Sequence, residues 1–151
     1  MGEPTACLSL VTLGVSDLAK STVFYEALGF RRKSRGADGV AFFEAGGVIL
    51  SLWPTAEFAK DAELAKDAEI ASAGPDGFRG MSLAWNCTSA SEVDRALARA
   101  MGAGATLIRS ARTVFWGGYT AYFADPDGHL WEVAHNPQFP FSGDGRLLLP
   151  D

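Results

Sequence analysis

Cysteine is nearly absent from this chain, with two in 151 residues, Cys7 and Cys87. That excludes a disulfide framework of the kind that stabilises small secreted domains. Both cysteines sit in apolar, strand-like runs and read as buried free thiols of a reducing compartment. Basic residues are also short, 13 Lys and Arg against 18 Asp and Glu, for a net charge of −5. With no basic stripe, nucleic acid is not an expected partner. No apolar run reaches the ~20 residues of a membrane span, and the start of the chain has no signal-peptide pattern. The cytoplasm is therefore the expected location, with no membrane partner. A Ser/His/Asp nucleophile arrangement, a paired-carboxylate motif and a phosphate loop are missing too. Gly46-Gly47 and Gly117-Gly118 lack the strand–helix context of a nucleotide site.

Hydrophobic residues make up 48% of the chain, enough for one compact domain or two half-domains sharing a core. The most informative stretch is 117–137, GGYTAYFADPDGHLWEVAHNP. Tyr119–Ala124 and His129–His135 read as two short strands. Asp125-Pro126-Asp127-Gly128 joins them with turn chemistry: Pro presets φ, Asp caps locally and Gly takes a positive φ. Asn136-Pro137 ends the second strand. Glu132 is a charge inside that apolar strand. By period 2 it shares a face with Leu130 and Ala134, while Trp131 and Val133 point the other way, toward a core. Glu132 then faces either water or a cavity.

Earlier in the chain, Cys7–Val15 reads as a buried strand and Ser16-Asp17 as a helix start. Leu18, Val23, Phe24 and Leu28 give Leu18–Leu28 near-helical spacing, and Gly29 ends it as a C-cap. Strands are predicted at Phe30–Arg35, Val40–Glu44 and Val48–Trp53, with Pro54 as the stop. The stretch 55–80, with AKDAEL followed by AKDAEI, reads as a helical linker or a lid. The opening order then returns: a strand at Met81–Cys87, a helix capped by Ser89 or Ser91, a strand at Ala105–Arg109, and the 117–135 hairpin. A duplicated β-α-β-β-β pattern means two similar halves, each too small to bury its own sheet face. The chain divides into a first module over 6–54, the linker over 55–80, a second module over 81–137 and a tail over 138–151.

Ser16-Asp17-Leu18, followed by Phe24-Tyr25 and Leu28-Gly29, resembles the opening motif of the vicinal oxygen chelate superfamily, and DPDGHLWEV at 125–133 resembles its closing motif. That superfamily includes glyoxalase I, extradiol dioxygenases and the bleomycin and fosfomycin resistance proteins. The resemblance implies an α+β fold of two tandem βαβββ modules, forming a U-shaped mixed sheet around a cleft with the helices outside. Its metal-using members place four ligands, one on the first and one on the last strand of each module. Carried over to this chain, those positions hold Leu10, Ser51, Ser82 and Glu132. One carboxylate, two hydroxyls and a leucine make a poor divalent site. His129 and His135 are out of phase with Glu132 and read as surface or strand-end residues.

The expectation is therefore a cleft without metal or other cofactor that binds a small organic ligand. Its binding residues would be Leu10, Thr12, Ser51, Trp53, Ser82, Asn86, Trp116, Tyr122 and Glu132. Trp53 and Tyr122 would stack on a planar ring or a cation, with Glu132 as counter-charge. The alternative is a lyase or dioxygenase, with a divalent metal in an atypical site or Glu132 as general base. A homodimer is expected, with the apolar tail Phe139–Leu149 on the partner or across the cleft mouth.

Overall fold

Both halves of the chain fold in the same order. A computed structural model describes residues 4–64 and 78–151. The first half runs β1 (Leu10–Val15), α1 (Leu18–Leu28), β2 (Arg31–Lys33), β3 (Ala41–Glu44) and β4 (Ile49–Pro54). The short α2 (Thr55–Asp61) follows. The second half runs β5 (Leu83–Asn86), α3 (Ala90–Gly102), β6 (Thr106–Thr113), β7 (Tyr119–Ala124) and β8 (Leu130–His135). The sheets have orders β1-β4-β3-β2 and β5-β8-β7-β6. In each, the first strand lies parallel to the last, and the other pairs are antiparallel. This is the expected tandem βαβββ architecture. It is carried by two four-stranded sheets, with no ladder joining them among the described residues. The second AKDAE repeat, at 65–69, lies outside those residues. No described helix is long and apolar enough to cross a membrane.

Local chemistry sets the helix limits. Asp17 accepts from the Lys20 amide at 3.0 Å and starts α1. Gly29 ends it at φ 105°, a left-handed conformation that a side chain would strain. A Cβ there would also meet the Arg99 guanidinium at 2.9 Å. Arg99 belongs to α3, and its Nε donates to Ala27 O at 2.9 Å, so the second module caps the last turn of the first module's helix. Ser89 caps α3, accepting from the Glu92 amide at 3.1 Å. The buried side of α1 is Ser21, Thr22, Phe24, Tyr25 and Leu28. Val23 faces solvent instead, because Tyr25 takes the inward place.

The two modules share one core. Tyr25 and Phe30 of the first module pack on Trp131 of β8 at centroid distances of 6.0 and 5.6 Å. Phe43 and Phe123 extend the cluster on either side. Such ring pairs contribute about 0.5–1.5 kcal/mol each beyond their buried area. Inside this cluster lies a polar chain. Trp131 Nε1 donates to the Tyr25 hydroxyl at 3.1 Å, and that hydroxyl donates to Asp125 Oδ2 at 2.6 Å. Asp125 Oδ1 accepts from the amides of Asp127 and His129 at 2.9 and 2.8 Å. Asp127 then reaches the first module, accepting from Ser16 N at 2.9 Å and from Ser21 Oγ at 3.2 Å. His129 does the same through Nε2 and Gly14 O, at 2.7 Å.

One expectation fails outright. Cys7 is exposed, whereas Cys87 is buried as expected. The Gly46-Gly47 turn lets β4 begin only at Ile49, opposite Leu10. Among the described residues, the chain before Ser9 therefore has no strand paired beside it.

Among the described residues, the Tyr25 hydroxyl is the only side-chain donor to the buried Asp125 carboxyl group. Tyr25→Phe should therefore cost about 1–3 kcal/mol, the scale of an acceptor left unsatisfied in a core. Chemical denaturation measures this, and an unchanged midpoint would refute it. Burial, and then the Glu92 charge, push the Cys87 thiol from 9.0 up to about 11. Between those values the folded state holds a proton that the unfolded chain has lost, so stability falls as pH rises through that window. Cys87→Ala should flatten the fall in thermal midpoint from pH 9 to pH 10, below the usual tyrosine range. An unaltered slope would show that another group drives the fall.

Candidate functional site

The face of β8 opposite the core carries Leu130, Glu132 and Ala134. Register then decides what stands beside the carboxylate. Glu132 lies opposite Tyr122 on β7 and Ala84 on β5, and Tyr122 lies opposite Arg109 on β6. Three adjacent strands thus set Arg109, Tyr122 and Glu132 in a row. The Tyr122 hydroxyl donates to Glu132 Oε2 at 2.8 Å. That bond, with burial adding to it, raises the phenol above its usual range, so it stays a donor. The Arg109 guanidinium carbon lies 5.1 Å from the Tyr122 ring centroid. Arg109 is tied down by Nη1 bonds to the carbonyls of Ser110 and Thr120, each at 3.2 Å, and by Nη2 on Thr120 Oγ1. The second oxygen of Glu132 has no hydrogen-bond partner among the described residues.

Above this row is a cavity of about 420 Å³ lined by Phe78, Gly80, Met81, Ser82, Arg109, Tyr122 and Leu130. Its size suits a small organic molecule, and its lining is apolar with few polar groups. Of the sequence-predicted residues, the structure brings Ser82 and Tyr122 to this cavity and bonds Glu132 to Tyr122.

The others lie elsewhere. Leu10, Thr12, Ser51 and Trp53 do share one face of the first sheet, since Thr12 pairs with Ser51, and Leu10 and Gly14 pair with Ile49 and Trp53. None of the four lines the Tyr122 cavity. Ser51 is 3% exposed, so its hydroxyl is not offered to a ligand. Trp53 is stacked on Phe58 of α2 at 5.7 Å. Trp116 folds over Gly118 in the β6–β7 turn, where even a Cβ would collide with its ring. Asn86 lines a different cavity, of about 830 Å³, with Val11, Phe30 and Trp131. The tail reaches that same cavity: Phe141 and Leu147, bridged to each other, close one side of it beside Gly46-Gly47.

Sequence reasoning missed Arg109. It marked that residue only as the end of a strand. The strand runs on to Thr113, and its register shifts on both sides of Arg109. Bulges of this kind re-aim side chains in a way that simple alternation does not show.

The four positions where metal-using relatives hold ligands do not fit a divalent ion here. Leu10 has no donor, the Ser51 hydroxyl is buried, and Ser82 and Glu132 alone are too few. No group of three or more His, Cys, Asp or Glu able to hold a metal occurs among the described residues. His135 Nδ1 instead lies 3.2 Å from Cys87 O, and His129 Nδ1 lies 2.8 Å from Arg79 Nη1.

Comparison with known proteins bears on the family and the fold. No curated protein matches the chain. A glyoxalase-related enzyme from Fulvimarina pelagi is 31% identical, with 97% of this chain and 100% of that one covered and a TM-score of 0.82. A glyoxalase/bleomycin resistance protein/dioxygenase from Nocardioides is 29% identical over 89% of this chain and 85% of that one, with a TM-score of 0.69. A lactoylglutathione lyase from Agrobacterium tumefaciens, 21% identical over 89% and 96% of the two chains with a TM-score of 0.63, shares the fold. Residues 8–133 match the sequence pattern of one family, and they span both halves of the Tyr25–Asp125 contact. The chain belongs to the Glyoxalase/Bleomycin resistance protein/Dioxygenase superfamily.

Proposed function

We propose that this protein binds a small organic ligand over the outer face of its second sheet, without a divalent metal. The observation that carries this reading is the Arg109–Tyr122–Glu132 row beneath an apolar cavity of about 420 Å³. Each polar group in the row is held in place by another, so little orientation entropy remains to be lost on binding. The ligand is not the cation expected from sequence, because the Arg109 guanidinium already lies against the Tyr122 ring and Phe58 covers a face of Trp53.

A second reading is an enzyme in which Glu132 is the general base. The free oxygen of Glu132 supports it, as does the likeness to a glyoxalase-related enzyme. The two readings differ in whether a bound molecule is returned chemically unchanged. We also place the protein in a reducing cytoplasm, supported by its two free thiols, and as a homodimer. The homodimer is supported by exposed Leu107 and Ile108 on the edge strand β6 and by the fully exposed Phe115 beside it.

Ligands found by an unbiased thermal-shift screen of chelator-treated protein should be recovered unchanged by mass spectrometry. Glu132→Ala should fold normally yet weaken their binding by about 1–3 kcal/mol, since it removes the acceptor that holds the Tyr122 hydroxyl in place. Binding that requires added metal would reverse the metal-free reading, and turnover of the hit would favour the enzyme. Sedimentation at micromolar concentration should give a dimer, with Ile108→Glu shifting it to monomer. A monomeric parent protein would end the assembly proposal.

A further inference from the structure

Arg109 is half-buried and borders an apolar cavity, yet no carboxylate lies within 4 Å of it among the described residues. A cation so placed is costly unless something else supplies the charge. Its hydrogen-bonding leaves a specific opening. A guanidinium has five N–H groups. Both Nη1 hydrogens go to the Ser110 and Thr120 carbonyls, and one Nη2 hydrogen goes to Thr120 Oγ1. The edge formed by Nε–H and the second Nη2–H remains. That edge meets a carboxylate with two parallel bonds. Glu132, the acid two strands away in the same row, is already engaged by the Tyr122 hydroxyl and is not in the cavity lining. Around Arg109 the walls are Phe78, Met81 and Leu130, with the Tyr122 ring as floor.

We infer that the ligand of this cavity is a small aromatic or apolar carboxylate, gripped at its charged end by the free edge of Arg109. This rests on the reading above that a small molecule occupies the cavity, and adds the sign of its charge and the residue that reads it. The carboxylate caps the two unmet N–H groups, and its apolar body covers Leu130 and Met81. The Thr120 bonds hold the guanidinium in plane, so the fork is formed before the ligand arrives.

Three matched probes test the assignment: 2-naphthoate, 2-naphthylmethanol and 2-naphthylmethylammonium, titrated calorimetrically at low and high salt. The carboxylate should bind at least about tenfold tighter than the alcohol, the ammonium should be weakest, and only the carboxylate should weaken with salt. Arg109→Gln should remove about tenfold or more of the carboxylate affinity and leave the alcohol within about threefold. Arg109→Lys, which keeps the charge but not the fork, should fall between. The Arg109 Nε–Hε NMR signal, assigned through the Gln variant, should shift with the carboxylate alone. A carboxylate that fails to bind, or binds equally well without Arg109, overturns the assignment. If the alcohol or ammonium then binds with a footprint on Tyr122, the small-molecule cavity stands. If no probe binds and the thermal-shift screen is also empty, that reading falls with it.

Discussion

The fold depends on a single buried hydroxyl. Tyr25 sits in the helix of the first module and Asp125 in the hairpin turn of the second, 100 residues later, yet they meet at 2.6 Å in the shared core. Neither partner is easily replaced. Asp125 has 3% exposure, so its carboxyl group cannot turn to water. Burial, and then the neighbouring Asp125 charge, push the Tyr25 phenol well above its usual range, which keeps the proton on the tyrosine as donor. Trp131 donates to the same hydroxyl from the other side, and bonds in such a chain polarise and strengthen each other. Two half-domains, each with one bare sheet face, are in this way fixed in a single relative position. Apolar burial supplies most of the attraction between them, but it is non-directional. The hydrogen-bonded chain supplies direction.

This explains what the two family-like motifs of the sequence are for. The Phe24-Tyr25 and DPDG stretches carried the family resemblance, and both turn out to be parts of the inter-module joint. Asp127 holds Ser16 and Ser21, and His129 holds Gly14. The resemblance was therefore a strong guide to architecture and a weak one to chemistry. Helix α1 was legible to the residue because its limits are set locally, by Asp17 at one end and Gly29 at the other. The repeat was legible because turn residues recur at matching places. Cys7 was misread because an apolar run says nothing of whether a neighbouring strand extends far enough to cover it.

The site was legible only in part, for a related reason. Period 2 for Glu132 and the family resemblance for Tyr122 put both on one face, and so does the fold, since β7 and β8 pair without interruption from Tyr119–His135 to Ala124–Leu130. It failed at β6, whose register shifts twice. Arg109 lies between those shifts. A sequence that shows one acid on a strand invites the reading of a counter-charge for a cation. The fold answers by laying the protein's own cation across the tyrosine between them. Spacing within a strand was enough to find the acid, but only pairing between strands could find the base.

That Leu10, Ser51 and Ser82 stand where the resemblance implies metal ligands also has a physical consequence. A metal-binding cleft needs its four positions to converge on one point, which ties both sheets to one geometry. Without that demand the two sheet faces are free to diverge. Here the first sheet covers only part of its face, burying Ser51 and stacking Trp53 on α2 while Leu10 and Ile49 stay exposed. The second keeps an open face, with its polar groups already bonded to each other and an arginine edge unmet. In the proposed reading, recognition rests on one sheet's own cross-strand row and not on a metal held between the modules. Such a row is set by ladder register alone. The Tyr25–Asp125 joint involves Trp131, on the opposite face of that sheet, so it fixes the modules without entering the site.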